Sequence, residues 1–277
     1  MRSPQLQFRG LLENLLSHFE WTRALVGLAV GFFVGLTGVG GGVILAPVLI
    51  FLGIQPSVAV GTDLVYGSVT KLVGTWRNVK AKRVDWNWVW ALALGSVPAG
   101  VAGSYLIDYL RHTQPEAEPI IKKALGIVLF FAASVNIGSE LFLRGKEHKL
   151  LVDWTPRNVP TRVLVALAGA LIGFMVGLTS VGSGSLFALL LLFTSRLEMP
   201  VLVGTDIAHA MVLVAAASVA HIDIGTVDYG LAANLLVGSI PGVLIGGRMV
   251  GILPARALKL AVCVLVLLAG GKMLLTK

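Results

Sequence analysis

Two glycine-rich segments interrupt long apolar stretches of this chain, and they set the strongest limit on its fold. The first reads Gly-Leu-Thr-Gly-Val-Gly-Gly-Gly over 35–42, and the second reads Gly-Leu-Thr-Ser-Val-Gly-Ser-Gly over 177–184. Glycine inside a buried apolar helix is destabilising unless the backbone unwinds there or another group approaches closely. Within a membrane, unwound backbone must face protein or a water-filled cavity. The sequence therefore predicts a broken helix in each of two related halves.

The similarity of the two halves extends beyond the glycine-rich segments. Three further pairs match at an offset of 143 residues: 60–64 with 203–207, 83–85 with 226–228, and 95–98 with 238–241. The glycine-rich pair is offset by 142, and a one-residue gap near Pro47 accounts for the difference. Paired breaks in corresponding halves are typical of the binding sites of membrane transporters.

Composition places the chain in a membrane. Hydrophobic residues make up 56% of it, charged residues only 13%, and the mean hydropathy is +0.86, which excludes an ordinary soluble domain. The net charge of +8 does not indicate nucleic-acid binding, because the Lys and Arg residues are scattered over predicted loops. Cys263 is the single cysteine, so intrachain disulfides and Cys-based metal sites are excluded. No cofactor or metal is expected.

Ten apolar segments follow one another, five in each half. They cover 22–36, 43–53, 58–75, 87–106, 120–138, 160–178, 185–194, 201–221, 229–250 and 255–274. The segments after the two breaks are too short for a spanning helix of about 20 residues, so they are tilted short spans or the return arms of re-entrant hairpins. Both alternatives give each half an odd number of crossings. The predicted fold is an all-α integral membrane protein of two inverted repeats, whose broken or re-entrant helices meet at the midplane.

Four regions result. Residues 1–21 form a predicted amphipathic helix that lies in the membrane interface or makes a homodimer contact. Residues 22–138 form the first repeat, 139–159 a cytoplasmic linker, and 160–277 the second repeat. The loop at 76–86 carries four basic residues, whereas its counterpart at 222–228 carries none and has two aspartates. The positive-inside rule therefore places the first loop in the cytoplasm and the second outside, as inverted repeats require.

The breaks have the chemistry of an anion site. A helix that starts after an unwound segment presents unpaired backbone N–H groups and the positive end of its dipole, and nearby hydroxyls add donors. The candidate binding residues are Thr37, Gly38, Gly40, Gly41, Gly42, Thr179, Ser180, Gly182, Ser183, Gly184 and Ser185, with Lys71. The alternative is that these small residues only allow close helix packing.

Ionisable residues within apolar segments are costly and indicate function by default. Asp63 and Asp206 are interpreted either as helix caps or other structural hydrogen-bonding groups, or as proton or cation sites, and Asp206 shares a helix face with His209 three residues on. Lys71 either extends to the lipid headgroups, attracts anions, or neutralises Asp63. The candidate coupling or gating residues are Thr62, Asp63, Tyr66, Thr205, Asp206 and His209.

Other polar and aromatic residues are expected to have structural roles near the membrane surface. His112 and His221 fall in predicted loops and are expected to be solvated. The tryptophans beside loops are expected to anchor the protein at the interface; they are Trp86, Trp88, Trp90 and Trp154.

The conjunction of motifs resembles the TauE/SafE family of sulfite exporters over roughly residues 22–274. The matching elements are the first glycine-rich break, the Val-Gly-Thr-Asp motif followed by Thr70-Lys71, the basic loop ending in Val84-Asp85-Trp86, Gly95-Ser-Val-Pro98, and Gly204-Thr-Asp-Ile-Ala-His209. The resemblance implies a ten-segment transporter of sulfur-containing anions, such as sulfite or organosulfonates, in a bacterial or archaeal cytoplasmic membrane. The second break departs from the pattern, since serines replace several glycines, so the two halves of the site should be chemically unequal.

The predicted function is secondary transport by alternating access. An enzyme is disfavoured because five scattered histidines and one cysteine offer no nucleophile–base pair or metal cluster. Export of an anion is favoured by an inside-negative potential, worth about 2.3 kcal/mol per charge at 100 mV. Coupling to protons is one option for the carrier. An anion channel and a carrier of small carboxylates remain alternatives.

Overall fold

The computed structural model describes residues 20–37, 44–113, 117–142, 153–156, 158–249 and 255–275. The predicted amphipathic helix at 1–21, apart from its last two residues, and most of the first glycine-rich break lie outside these ranges. Within them the chain forms ten helices and no strands. The all-α prediction is therefore confirmed.

The helices follow the ten predicted apolar segments, with some longer by a turn or more. They are α1 (Trp21–Thr37), α2 (Leu45–Phe51), α3 (Pro56–Lys80), α4 (Trp86–Thr113), α5 (Ala117–Phe142), α6 (Val159–Thr179), α7 (Leu186–Thr194), α8 (Met199–Asp223), α9 (Tyr229–Arg248) and α10 (Ala255–Leu275). Sequence equivalence pairs α1 with α6, α2 with α7, α3 with α8, α4 with α9, and α5 with α10.

Glycines bring two helix pairs into backbone contact, and the two pairs are equivalent. A Cβ added at Gly173 of α6 would lie 2.4 Å from the carbonyl oxygen of Ser96 in α4. A Cβ added at the equivalent Gly31 of α1 would lie 2.4 Å from the carbonyl oxygen of Ser239 in α9. Each repeat therefore packs its first helix against the fourth helix of the other repeat, with small residues permitting the close approach.

Helices α3 and α8 are equivalent in sequence and pack against each other in opposite directions. A Cβ at Gly61, near the start of α3, would lie 2.5 Å from the carbonyl oxygen of Thr226, just beyond the end of α8. The reciprocal contact joins Gly204, near the start of α8, to the carbonyl oxygen of Arg83, just beyond the end of α3. The beginning of each helix thus contacts the segment that follows the other.

The short helix α7 folds back along α6. The backbone N–H of Trp154, which precedes α6, donates to the carbonyl oxygen of Thr194 at the end of α7, with an N···O distance of 2.9 Å. In the first half, Leu52 and Ile54 after α2 line a pocket together with Thr22 at the start of α1. Of the two alternatives for the short segments, the geometry favours return arms.

Five of the described helices are long and apolar enough to cross a membrane, namely α4, α6 and α8 in full and most of α5 and α9. Large apolar side chains are exposed along their outer faces, as on Leu94, Leu167 and Val237, which suits contact with lipid. Trp86 and Trp90 are also exposed, as interfacial anchors would be, but Trp88 is 1% exposed. The prediction for Trp88 was wrong, because this position of α4 faces the protein core.

Candidate functional site

The second break is a tight turn held by left-handed backbone. Helix α6 ends at Thr179, Ser180 has φ of 60° and Gly182 has φ of +99°. Glycine adopts such a conformation without the strain that a side chain would add. The Thr179 hydroxyl donates to the carbonyl oxygen of Met175 and accepts the N–H of Val181. The Thr179 hydroxyl therefore stabilises the turn, although the sequence had predicted that Thr179 binds substrate.

The serines of the break are buried where α7 begins. Ser180, Ser183 and Ser185 have exposed fractions of 6% or less. Ser185 precedes α7 but makes no capping hydrogen bond, and its hydroxyl contacts no hydrogen-bonding partner among the described residues. The break therefore presents a buried, unused hydroxyl. In the first break, Thr37 ends α1, while the candidates Gly38, Gly40, Gly41 and Gly42 lie outside the described residues.

Asp63 lies within α3, and the cap interpretation is wrong. The helix begins at Pro56 after the N-cap residue Gln55, so Asp63 is about two turns inside it. Its side chain is fully buried, and the Ser180 hydroxyl of the second break faces it. Neither carboxylate oxygen completes a hydrogen bond of ordinary geometry with the described residues. A buried carboxylate in this condition retains capacity for a proton or a ligand.

Lys71 is buried beside α8 and has two carboxylates as charged neighbours. It is buried in the middle of α3, with an exposed fraction of 9%, and it is the charged neighbour of both Asp63 and Asp206. Neither carboxylate is within 4.0 Å of its ammonium, and no hydrogen bond to it exists within the described part of the chain. The interpretation as a side chain extended to the headgroups was wrong, because α8 covers this face of α3.

Asp206 occupies the equivalent place in α8. This helix starts at Met199 after Glu198, so Asp206 is also too far inside to cap it. It is buried with one carboxylate oxygen unpartnered among the described residues. The position equivalent to Ser180 is Gly38, which has no hydroxyl to offer Asp206. The two acidic sites are therefore chemically unequal, as the sequence indicated.

Two serines that sequence reasoning missed pair with the remaining candidates. Ser96 of α4 is 2.8 Å from Nε2 of His209, and Nδ1 of His209 has no partner in the described ranges. At the equivalent place in the other half, the Ser239 hydroxyl of α9 faces the Tyr66 hydroxyl. Both serines belong to the repeated Gly-Ser-x-Pro motif. The sequence signal that could have identified these serines is a polar residue repeated at equivalent positions of two apolar helices.

Thr62 and Thr205 connect the two halves. The Thr62 hydroxyl accepts the backbone N–H of Asp228 at 3.1 Å, and the Thr205 hydroxyl accepts that of Asp85 at 2.9 Å. These two equivalent hydrogen bonds hold the segment after α8 against the start of α3, and the segment after α3 against the start of α8. Both hydroxyls therefore have a structural role, although they were predicted to take part in coupling.

His221 is buried, and its predicted exposure was wrong. Helix α8 extends to Asp223, which places His221 inside the protein. Its Nδ1 is 2.7 Å from the Thr226 hydroxyl, and its Nε2 is 3.2 Å from the carbonyl oxygen of Gly177, in the last turn of α6. His112, by contrast, is exposed, as predicted. In the described residues no three His, Cys, Asp or Glu side chains group as a metal site.

Comparison with known proteins gives the family. The family model of the sulfite exporter TauE/SafE matches residues 23–273. The chain is 45% identical over 250 residues to the probable membrane transporter protein YjnA of Bacillus subtilis (strain 168), covering 90% of this chain and 98% of that protein. It is 26% identical over 241 residues to YunE of the same organism, also a probable membrane transporter protein, covering 81% and 85%. No solved structure matches it significantly. The chain therefore belongs to the sulfite exporter TauE/SafE family of multi-pass membrane transporters.

Proposed function

We propose that the chain is a secondary transporter that moves small sulfur-containing anions, such as sulfite or organosulfonates, across the cytoplasmic membrane by alternating access. One observation carries this proposal: buried polar groups of both halves have hydrogen-bonding capacity left over, and Asp63 and Asp206 among them are close enough to Lys71 to interact with it electrostatically. Among the described residues these groups belong to Asp63, Tyr66, Ser185, Asp206, His209 and Ser239. Unsatisfied buried polar groups are rare and destabilising, so their clustering supports a ligand site.

The chemistry of the cluster suits an oxyanion. Under this proposal the buried Lys71 is protonated and supplies a positive charge, and the hydroxyls of Ser180 and Tyr66 are donors near Asp63. A sulfite or sulfonate group has three oxygens that accept several such bonds, and charged hydrogen bonds are the strongest of them. The backbone at the start of α7, after the second break, adds N–H donors. The family name supports sulfite among the oxyanions and supports export.

Charge balance links anion binding to protons. With both aspartates ionised and Lys71 protonated, the cluster carries one net negative charge before any anion arrives. A monovalent anion would double that charge in a medium of low dielectric, which is strongly unfavourable. Protonation of Asp63 or Asp206 restores the balance. If both aspartates are ionised before the anion arrives, one proton binds with each monovalent anion and the pair crosses without net charge. The gradients of anion and pH then set the direction of net flux, and the membrane potential favours export only of an anion that moves without a proton.

The arrangement of the helices supports alternating access. Equivalent helices α3 and α8 pack in opposite directions, which is the geometry of an inverted repeat whose two halves exchange roles as the site opens to either side. Asp206 and His209 lie one turn apart on α8, where a proton can pass between carboxylate and imidazole. Under this proposal, residues 22–138 and 160–277 are the two repeats, and the loop at 76–86 is cytoplasmic.

Flux of radiolabelled sulfite from proteoliposomes tests the proposed function. The wild-type protein should give saturable efflux that unlabelled sulfite inhibits more strongly than simple carboxylates do. Lys71→Met should abolish it, since no other cation lies beside Asp63 in the described part of the chain, whereas Lys123→Met, at an exposed position of α5, should not. Unitary currents would show a channel, and stronger inhibition by carboxylates would show a carboxylate carrier.

The coupling is tested separately, with the membrane potential clamped. In the double variant Asp206→Asn with His209→Ala, anion binding should remain measurable while the response of flux to an imposed pH gradient is lost. An unchanged pH response in this variant would refute the role of these two residues.

A further inference from the structure

A pocket lies at the end of α3 and the α3–α4 loop, a region that we call a mouth of the protein. Its lining residues are different from those of the buried cluster. It has a volume of about 640 Å³ and is lined by Trp76, Arg77, Asn78, Lys80, Arg83 and Ile207 among others. All three charged side chains that line it are cationic. Asp85, the nearest acid in sequence, does not line it, because its carboxylate accepts the backbone N–H groups of Asn87 and Trp88 at the start of α4.

Two of the lining residues join α3 to α8. Gly74 packs on Ile207, where an added Cβ would lie 3.2 Å from the Ile207 side chain. The Thr75 hydroxyl donates to the carbonyl oxygen of Ile207. Since Ile207 lines the pocket and follows Asp206 in α8, the pocket lining adjoins the buried acid along this helix.

The equivalent mouth on the other repeat has the opposite charge. Adding the repeat offset of 143 places Ala220, Asp223 and Thr226 where Arg77, Lys80 and Arg83 lie. Three cations at one mouth thus correspond to a single carboxylate at the other, and the Thr226 hydroxyl is already bound to His221. The positive-inside rule accounts for basic residues in the first loop. It does not require that they converge on one acid-free pocket above Ile207.

The geometry points to a vestibule for oxyanions in the pocket between Arg77, Lys80 and Arg83, which captures the transported solute before it enters the buried cluster. Cation-lined clefts raise the local concentration of anions and their rates of association. Lys80 Nζ lies 3.9 Å from the centroid of the Trp76 ring, so an oxyanion bound there sits beside that indole. The vestibule rests on the proposed function for its solute. It lowers the half-saturating concentration on this side of the membrane but leaves the equilibrium gradient unchanged.

Tryptophan fluorescence tests the vestibule without any transport. Inorganic sulfate is titrated against the full-length protein in nanodiscs of neutral lipid, with chloride at equal ionic strength as the blank. The wild type should give a saturable change that Trp76→Phe removes. Lys80→Asp, which copies the charge of the other mouth, should raise the half-saturating sulfate concentration about tenfold. Lys82→Asp is the matched control, since Lys82 is in the same loop but outside the pocket lining, and its shift should stay within about twofold.

Three results would overturn the vestibule. Equal shifts for Lys80→Asp and Lys82→Asp would show only the general charge of the loop, and a change that survives in Trp76→Phe would place the anion elsewhere. Loss of the sulfate response in nanodiscs of anionic lipid would identify a headgroup site. Absence of sulfite flux together with an intact sulfate titration would defeat the proposed function and leave the vestibule standing as an anion site.

Discussion

The glycine contacts between α4 and α6 predict a measurable penalty for a single methyl group. The Cβ of Gly173→Ala would lie 2.4 Å from the Ser96 carbonyl oxygen, whereas ordinary contacts begin near 3.4 Å. The two helices must therefore separate by about 1 Å. Overpacking of this kind destabilises a protein by about 1–3 kcal/mol. Gly271→Ala in α10 is the matched control, because nothing lies within 4 Å of its added Cβ. The gain in helix propensity is common to both variants. Their difference in unfolding free energy therefore isolates the contact.

Cys263 provides the assay. It is the single cysteine and is buried, so a thiol-reactive dye reports its exposure as the protein unfolds on heating in detergent. Gly173→Ala should unfold at a lower temperature than Gly271→Ala. It should also weaken transport, because Ser96, whose carbonyl oxygen the new Cβ displaces, also lies 2.8 Å from Nε2 of His209, and a shift of α4 disturbs that hydrogen bond. Equal unfolding temperatures for the two alanine variants would refute the close packing of α4 on α6.

Three further predictions concern particular contacts and the topology. His221→Ala should destabilise the protein by about 2–4 kcal/mol, because it opens a cavity and removes the shorter of the two hydrogen bonds to the Gly177 carbonyl oxygen. Exposed His112→Ala should change stability by less than about 0.5 kcal/mol; similar losses by thermal unfolding would contradict the buried position. Thr62→Val and Thr205→Val should each cost about 1 kcal/mol, and a large inequality would show that the two loop bonds are not equivalent. In protein with Cys263→Ala, thiols introduced by Asn78→Cys and Asp223→Cys should react with an impermeant reagent from opposite sides of the membrane, and reaction from one side would exclude the inverted repeat.

Much of the fold was predictable because membrane helices are set by local composition. Long apolar runs fix where helices lie, and the repeated motifs identify which helices are equivalent. Charge in an apolar helix is expensive enough that Asp63, Lys71 and Asp206 stand out without any structure. The same cost makes the Gly-Ser-x-Pro serines informative, although their partners could not be named from the sequence.

The predictions that were wrong concerned residues whose positions depend on packing between segments distant in sequence. Whether Lys71 extends to the headgroups or stays buried is decided by α8, which lies more than a hundred residues further along the chain. His221 was assigned to a loop because the predicted apolar segment ends at residue 221, but its partner Gly177 is 44 residues away in sequence. Trp88 faces inward through the rotation of α4, which composition near a membrane surface does not specify.

The position of a bound anion tests the proposed site between the two halves most directly. Selenite has the shape and charge of sulfite, and its selenium gives an anomalous X-ray signal that locates it in crystals of the protein. We expect a peak between the two halves, with selenite oxygens about 2.7–3.2 Å from Lys71 Nζ and from a hydroxyl of the second break. In protein shown to transport selenite, a peak confined to the membrane surface, with none beside Asp63 and Asp206, would contradict the buried site.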